Sequence, residues 1–233
     1  MATRFRGTKA APTQITSWSY SRWKDYATCP ARAKYKHLLR LPDPGGAALD
    51  RGIAIHGQCE TYLKTGAGLT EEVRQHFEKE MAALRKAQYV AEAQWAFDVN
   101  YVPTEWYARD AFLRIKTDAH KFDRRKKHVT VIDFKTGKIR EDEYDLQLDL
   151  YALGAFAQYP ACATASAELW YFDAGKIVDG DRQYSRDVDF PRLKEEWAAR
   201  IASMLCDTVF VPTPGYGCRW CPYSKAAKGP CKF

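Results

Sequence analysis

No stretch of the sequence approaches the run of about eighteen apolar residues that a membrane-spanning helix needs. The N-terminus, MATRFRGTKAAPT, also lacks the apolar core of a signal peptide. The expectation is a cytoplasmic protein with no membrane partner. Internal repeats and low-complexity tracts are missing too, so a repeat architecture is excluded. Carboxylates are in deficit, 29 against 36 lysines and arginines, which gives a net charge of +7 and a pI near 9.0. That balance favours a polyanionic partner, as supporting evidence only. An even set of cysteines is lacking as well. Of the seven, Cys29, Cys59, Cys162 and Cys206 are scattered, while Cys218, Cys221 and Cys231 crowd the C-terminal end. In a reducing compartment such a clustered CxxC points to metal or cluster ligation rather than disulfides. Cys59, Cys162 and Cys206 read as small buried hydrophobes.

What is present is enough for a real core: 233 residues, 46% apolar and 14% aromatic, make one large or two small globular domains. Residues 1–14 read as a flexible basic tail. Ser19 or Ser21 caps a short helix through Tyr26, and Cys29-Pro30 opens a second one to about Leu39. The aromatics and cations interleaved over residues 15–41 fit either a core with a solvated basic face or a nucleic-acid stacking surface. After the Pro42–Gly46 loop, helices are expected over Ala47–Lys64 and Leu69–Tyr89, the latter with Thr70 as cap. Strands follow over Trp95–Tyr101, Tyr107–Thr117 and His128–Lys135, then a helix over Asp145–Gln158. A hairpin of Ser166–Phe172 with Lys176–Tyr184 and a closing helix over Phe190–Met204 complete an α/β chain.

Chemistry concentrates in His128–Ala157. On a strand, residues two apart share a face, so Asp133 and Lys135 stand side by side at its exit. On the next helix Gln147 and Tyr151 share a face. Together they suggest a metal and phosphate site, or else a surface ion pair beside ordinary helix residues. His56 and Glu60, four apart on an earlier helix, form either a metal-ligand pair or a surface hydrogen bond.

Taken in order, His56, Asp118, Asp133-Phe134-Lys135 and Gln147-x-x-x-Tyr151 resemble the PD-(D/E)XK nucleases of the RecB type. The resemblance implies a restriction-endonuclease-like α/β core, a central mixed sheet flanked by helices in αβββαβ order. It implies a metal-dependent DNase with Mg2+ or Mn2+ held by His56, Asp118, Asp133 and the backbone carbonyl of Phe134. Lys135, Gln147 and Tyr151 would then act on the attacking water and the phosphate, with Glu60 behind His56. The segment SYSRWKDYATCPARAKYKHL, together with Cys218-x-x-Cys221 and Cys231, resembles the iron-sulfur branch of that family, which includes CRISPR-associated exonucleases. This implies a structural [4Fe-4S] cluster on Cys29, Cys218, Cys221 and Cys231, with zinc as the alternative. Residues 15–233 would form one nuclease domain, with 15–46 and 205–233 as the cluster-bearing region. The expected activity is an exonuclease on single-stranded or frayed DNA in replication, recombination or repair. The rivals are a catalytically silent DNA-binding scaffold and a zinc-stabilised endonuclease. Two features depart from the pattern. The Cys221 to Cys231 spacing is wide, and Leu113-Arg-Ile-Lys-Thr117 stands where a glycine often precedes the second-strand acid, which leaves Asp123 as a substitute for Asp118.

Overall fold

The computed structural model describes residues 13–139 and 141–233, without the side chains of 141–143, so residues 1–12 of the expected basic tail lie outside the described residues. The chain divides into two compact units. A terminal unit joins the described part of residues 1–44 to 201–233, and a central unit spans 45–200.

In the terminal unit, Ser19 caps α1 (Tyr20–Thr28) by accepting the Arg22 N–H at 3.3 Å. Pro30, whose missing N–H costs nothing at a helix start, opens α2 (Pro30–Ala33). The chain then widens into a π turn over Lys34–Leu38. Buried Asp25 gathers Arg32 Nε and His37 Nε2, each at 2.9 Å, and Lys36 Nζ at 3.3 Å. Two cations and a histidine offset the cost of burying that carboxylate. The two ends of the chain are tied by hydrogen bonds. Tyr26 Oη donates to Asp207 Oδ2 at 3.0 Å, and Tyr223 Oη donates to the Leu41 carbonyl at 3.3 Å. A short 3₁₀ helix covers Tyr216–Trp220. Beyond it the chain doubles back so tightly that a Cβ on Gly229 would stand 2.3 Å from the Tyr223 carbonyl carbon. Only glycine allows that approach of backbone to backbone.

The central unit begins with α3 (Ala47–Thr65), closed by left-handed Gly66, and α4 (Glu71–Lys86). Its seven-stranded sheet contains β1 (Val90–Phe97), β2 (Pro103–Thr104), β3 (Leu113–Asp123), β4 (His128–Lys135), β5 (Thr164–Tyr171), β6 (Lys176–Val178) and β7 (Gln183–Ser185). The order is β2-β1-β3-β4-β5-β6, with β7 also paired to β5. All pairs are antiparallel except β4 with β5, which α5 (Glu141–Gln158) connects. The expected mixed sheet flanked by helices is therefore present. The last helix, α6, covers Arg186–Cys206. Among the described residues no helix is long and apolar enough to cross a membrane.

β1 begins earlier and β3 ends later than expected, and at three further points a local turn sets the boundary. β1 stops at Phe97 because the Asp98 carboxylate accepts the N–H groups of Asn100 and Val102, both at 2.8 Å. Residues 105–111 form turns, so β3 starts at Leu113 and places Asp118 inside the strand rather than just past its end. The expected strand over Lys176–Tyr184 is split into β6 and β7 by Asp179, whose φ is +58° and whose carbonyl accepts the Arg182 N–H.

Helices α3 and α4 bury Ile55, Cys59, Leu63, Val73, Phe77, Met81 and Leu84 against Ala119, Ile132, Phe134, Trp170 and Phe172. Phe77 stacks on Trp170 with centroids 5.3 Å apart. Apart from Asp149, which accepts the Tyr184 hydroxyl at 3.0 Å, helix α5 is apolar from Leu148 to Ala157 and is buried on all sides. Its Gly154 lets it approach the sheet: a Cβ there would meet Ile115 Cδ1 at 2.5 Å. Cys59 and Cys162 are buried, but Cys206, at the last residue of α6, is exposed.

Candidate active site

The β3–β4 ladder closes at Ala119 opposite Ile132, and the next step of the same register sets Asp118 opposite Asp133. There a side chain replaces the backbone bond: the Phe134 N–H donates to Asp118 Oδ2 at 2.6 Å. The other oxygen, Asp118 Oδ1, lies 2.8 Å from His56 Nδ1 on α3. Alternation along β4 turns Phe134 into the α3–α4 core, while Asp133 receives groups from α5. Asp133 Oδ1 accepts the Tyr151 hydroxyl and, at 3.4 Å, Gln147 Nε2. Gln147 Nε2 also donates to Tyr151 Oη at 3.0 Å. Lys135 Nζ stands 2.5 Å from Asp133 Oδ2 and forms an ion pair with it.

The sequence reading missed a third acid. Glu92 sits in β1 across from Asp118, and ligand atoms of His56, Glu92 and Asp118 all lie within 4.8 Å of one another. Glu92 has φ +54°, a left-handed conformation that is uncommon for a non-glycine residue and rarer still in a strand. Its effect on the pleat is visible. Ala91 packs into the α3–α4 core while Trp95, four residues on, meets Gly154 of α5, although a regular strand would turn both to one face. No spacing rule finds Glu92, because its proximity comes from strand pairing and from a backbone kink.

Glu60 does not join this group: it pairs with Lys64 on its own helix, and His56 takes Asp118 instead. Asp123, at the far end of β3, accepts the N–H groups of Arg125 and Lys126 and so holds the hairpin turn.

Residues 17–226 match the family described as the PD-(D/E)XK nuclease superfamily. The chain belongs to that superfamily. Among solved structures, this nuclease superfamily member is similar to a "Putative exonuclease" from Eubacterium rectale, with 14% identity, a TM-score of 0.54, and 88% of this chain and 87% of that one covered. A looser likeness, to the protein SSO0001, has 15% identity and a TM-score of 0.43 over 94% of this chain and 88% of that one. No curated protein matches the chain.

Electrostatics of the superfamily site follow from burial. Asp118 and Asp133 are each only 7% exposed. Burial, then the charge of Asp133, pushes the Asp118 carboxyl up, against the pull of His56. Burial works against the charge on His56, but the bond to Asp118 and the charges of Asp118 and Asp133 outweigh it and raise its pKa. Burial and both aspartates hold the Tyr151 phenol well above its ordinary value. The result is three carboxylates held close together, with His56 against Asp118, Lys135 against Asp133 and Lys116 against Glu92.

Away from this site, within the terminal unit, Cys29, Cys218, Cys221 and Cys231 line a single cavity of about 240 Å³. Thr213 N–H reaches Cys29 Sγ and Gly215 N–H reaches Cys218 Sγ, both at 3.4 Å. Tyr35 also lines the cavity, and burial followed by the charges of Cys231, Cys29 and Cys221 raises its pKa.

Proposed function

We propose that this chain is a divalent-metal-dependent deoxyribonuclease, an exonuclease acting on single-stranded or frayed DNA. The observation that carries the reading is the pair of buried carboxylates, Asp118 and Asp133, set opposite each other with an imidazole against one and a lysine against the other. A divalent cation among Asp118, Asp133, Glu92 and His56 would offset the repulsion between these carboxylates, and oxygen donors with one imidazole suit manganese and, less well, magnesium. The Phe134 carbonyl is a further donor in this reading. When bound, the metal supplies charge neutralisation at the phosphate and acidifies water.

Asp133 holds the Lys135 ammonium, and Lys135 favours hydroxide over water and balances charge on the phosphate as the P–O bond to the leaving nucleotide breaks. Tyr151 and Gln147 fix Asp133 from the α5 side, so the carboxylate does not rotate as the site fills. For the terminal unit, the reading is a structural [4Fe-4S] cluster on the four cysteines. Four thiols around one cavity and amide donors on two of the sulfurs support it. Brown, iron-containing anaerobic protein is expected; colourless, zinc-containing protein would replace the cluster with zinc.

The deciding experiment uses DNA labelled at either end with Mg2+, Mn2+ or chelator. Release of mononucleotides from one end, lost with chelator, is the expected result. Internal cuts would make the enzyme an endonuclease, and intact DNA under all conditions would make it a silent DNA-binding protein.

A further inference from the structure

In the terminal unit, the 3₁₀ helix separates two kinds of residue by its period of three. Cys218 and Cys221, three apart, face the cavity. Tyr216 and Arg219, also three apart, form a stack with Trp220 on the outside. The Arg219 guanidinium lies 3.7 Å from the centroid of the Tyr216 ring and 5.0 Å from that of Trp220. Its Nη1 is 3.0 Å from Tyr216 Oη, and the two rings meet edge to face at 4.9 Å. Despite this mutual packing Tyr216 remains 70% exposed and Trp220 65% exposed.

We infer that the Tyr216–Arg219–Trp220 stack is a binding site for an unpaired base of single-stranded DNA, an inference that rests on DNA being the substrate. Two large rings held rigid by a guanidinium offer flat apolar faces with little rotamer freedom left to lose. A base inside a duplex has both faces covered by its neighbours, so only an unstacked base can use them. The same three residue types also make protein hot spots, and charge decides between the two. Residues 208–233 carry Arg219, Lys225, Lys228 and Lys232 and no Asp or Glu, and all three lysines are exposed. A segment of one sign beside exposed aromatics suits a polyanion whose bases stack.

The test titrates the full-length protein, with EDTA present to prevent cleavage, into a fluorescein-labelled oligothymidine. Trp220→Leu and Tyr216→Leu are each expected to weaken binding by roughly 5-fold to 150-fold, the range for one lost base stack, while Trp220→Phe stays near wild type. A Trp220→Leu protein that melts like wild type and binds as tightly overturns the inference. If the leucine variants melt early, photocrosslinking of wild type to 5-iodouracil DNA decides: adducts on residues 216–220 support the stack, and adducts only elsewhere overturn it. Wild-type protein that binds through the stack but cleaves nothing with either metal would sink the nuclease reading and leave this inference standing. Cleavage with unaltered affinity in the variants would do the opposite.

Discussion

The central unit, residues 45–200, holds 26 acids against 23 lysines and arginines, whereas the terminal unit's sequence holds 13 lysines and arginines against three acids. All of the chain's positive excess therefore belongs to the unit built from its two ends. The difference is instructive because a nuclease has two opposed electrostatic needs. Its chemistry wants carboxylates crowded in low dielectric, which repel the polyanion they act on. Its capture of substrate wants the reverse. In this chain the acids crowd together as Asp118, Asp133 and Glu92, while the exposed rings at 216 and 220 stand in a segment free of acids.

Separating the two is the largest effect expected. Asp133→Ala and Lys135→Ala should each lower cleavage of end-labelled DNA by about 10³-fold or more, the scale lost when a group acting on the transition state is removed. Oligonucleotide affinity measured in EDTA should stay within about twofold. Loss of binding in step with cleavage would mean the two regions do not divide the work.

A smaller effect tests whether the acids of the central unit act as a set. Glu92→Gln keeps the shape and removes the charge, and about 10-fold to 100-fold weaker activation by Mn2+ is expected. An unchanged Mn2+ dependence of cleavage would return Glu92 to the role of Lys116's partner.

Acid should distinguish the two units by stability. Burial lowers the His120 imidazole to about 4, with Tyr159 Oη at 2.7 Å from its Nε2. The unfolded chain protonates this histidine near pH 6.5, so stability is complete above that pH and declines as pH falls toward 4, by about 3 kcal/mol in all. In the terminal unit burial opposes the Asp25 charge, but the bond from His37 and the charges of Lys36 and Arg32 prevail and keep its pKa low, so it stays ionised over the same range. Hydrogen exchange at pH 7 and pH 4.5 should show peptides around β3 loosening first, and His120→Phe should remove much of the difference.

Much of this was legible in the sequence, and the gaps have physical causes. The strands and helices follow from periodicity, and the mixed sheet from the resemblance to the PD-(D/E)XK nucleases. His56, Asp118, Asp133, Lys135, Gln147 and Tyr151 could be named in advance because that resemblance orders them, and the structure brings them together. Glu92 could not be named, since a left-handed residue inside a strand leaves no mark on spacing. Glu60 was misjudged for a related reason: helical spacing gives a shared face but not the competing lysine one turn on. The aromatic run over 15–41 fitted either a core with a basic face or a stacking surface; Trp18 there is buried, whereas the rings at 107, 216 and 220 are exposed. Density of aromatics marks candidates; burial decides between core and surface.

The terminal unit has one property with a consequence in time. Its parts are separated by the whole central unit, and bonds such as Tyr26 to Asp207 and Tyr223 to Leu41 join residues about 180 positions apart. Domains assemble as they emerge from the ribosome, N-terminal parts first. The contiguous central unit can complete its sheet while residues 216–231 are still being added. A nascent chain can thus bring Asp118 and Asp133 together before the 3₁₀ helix and its exposed rings exist.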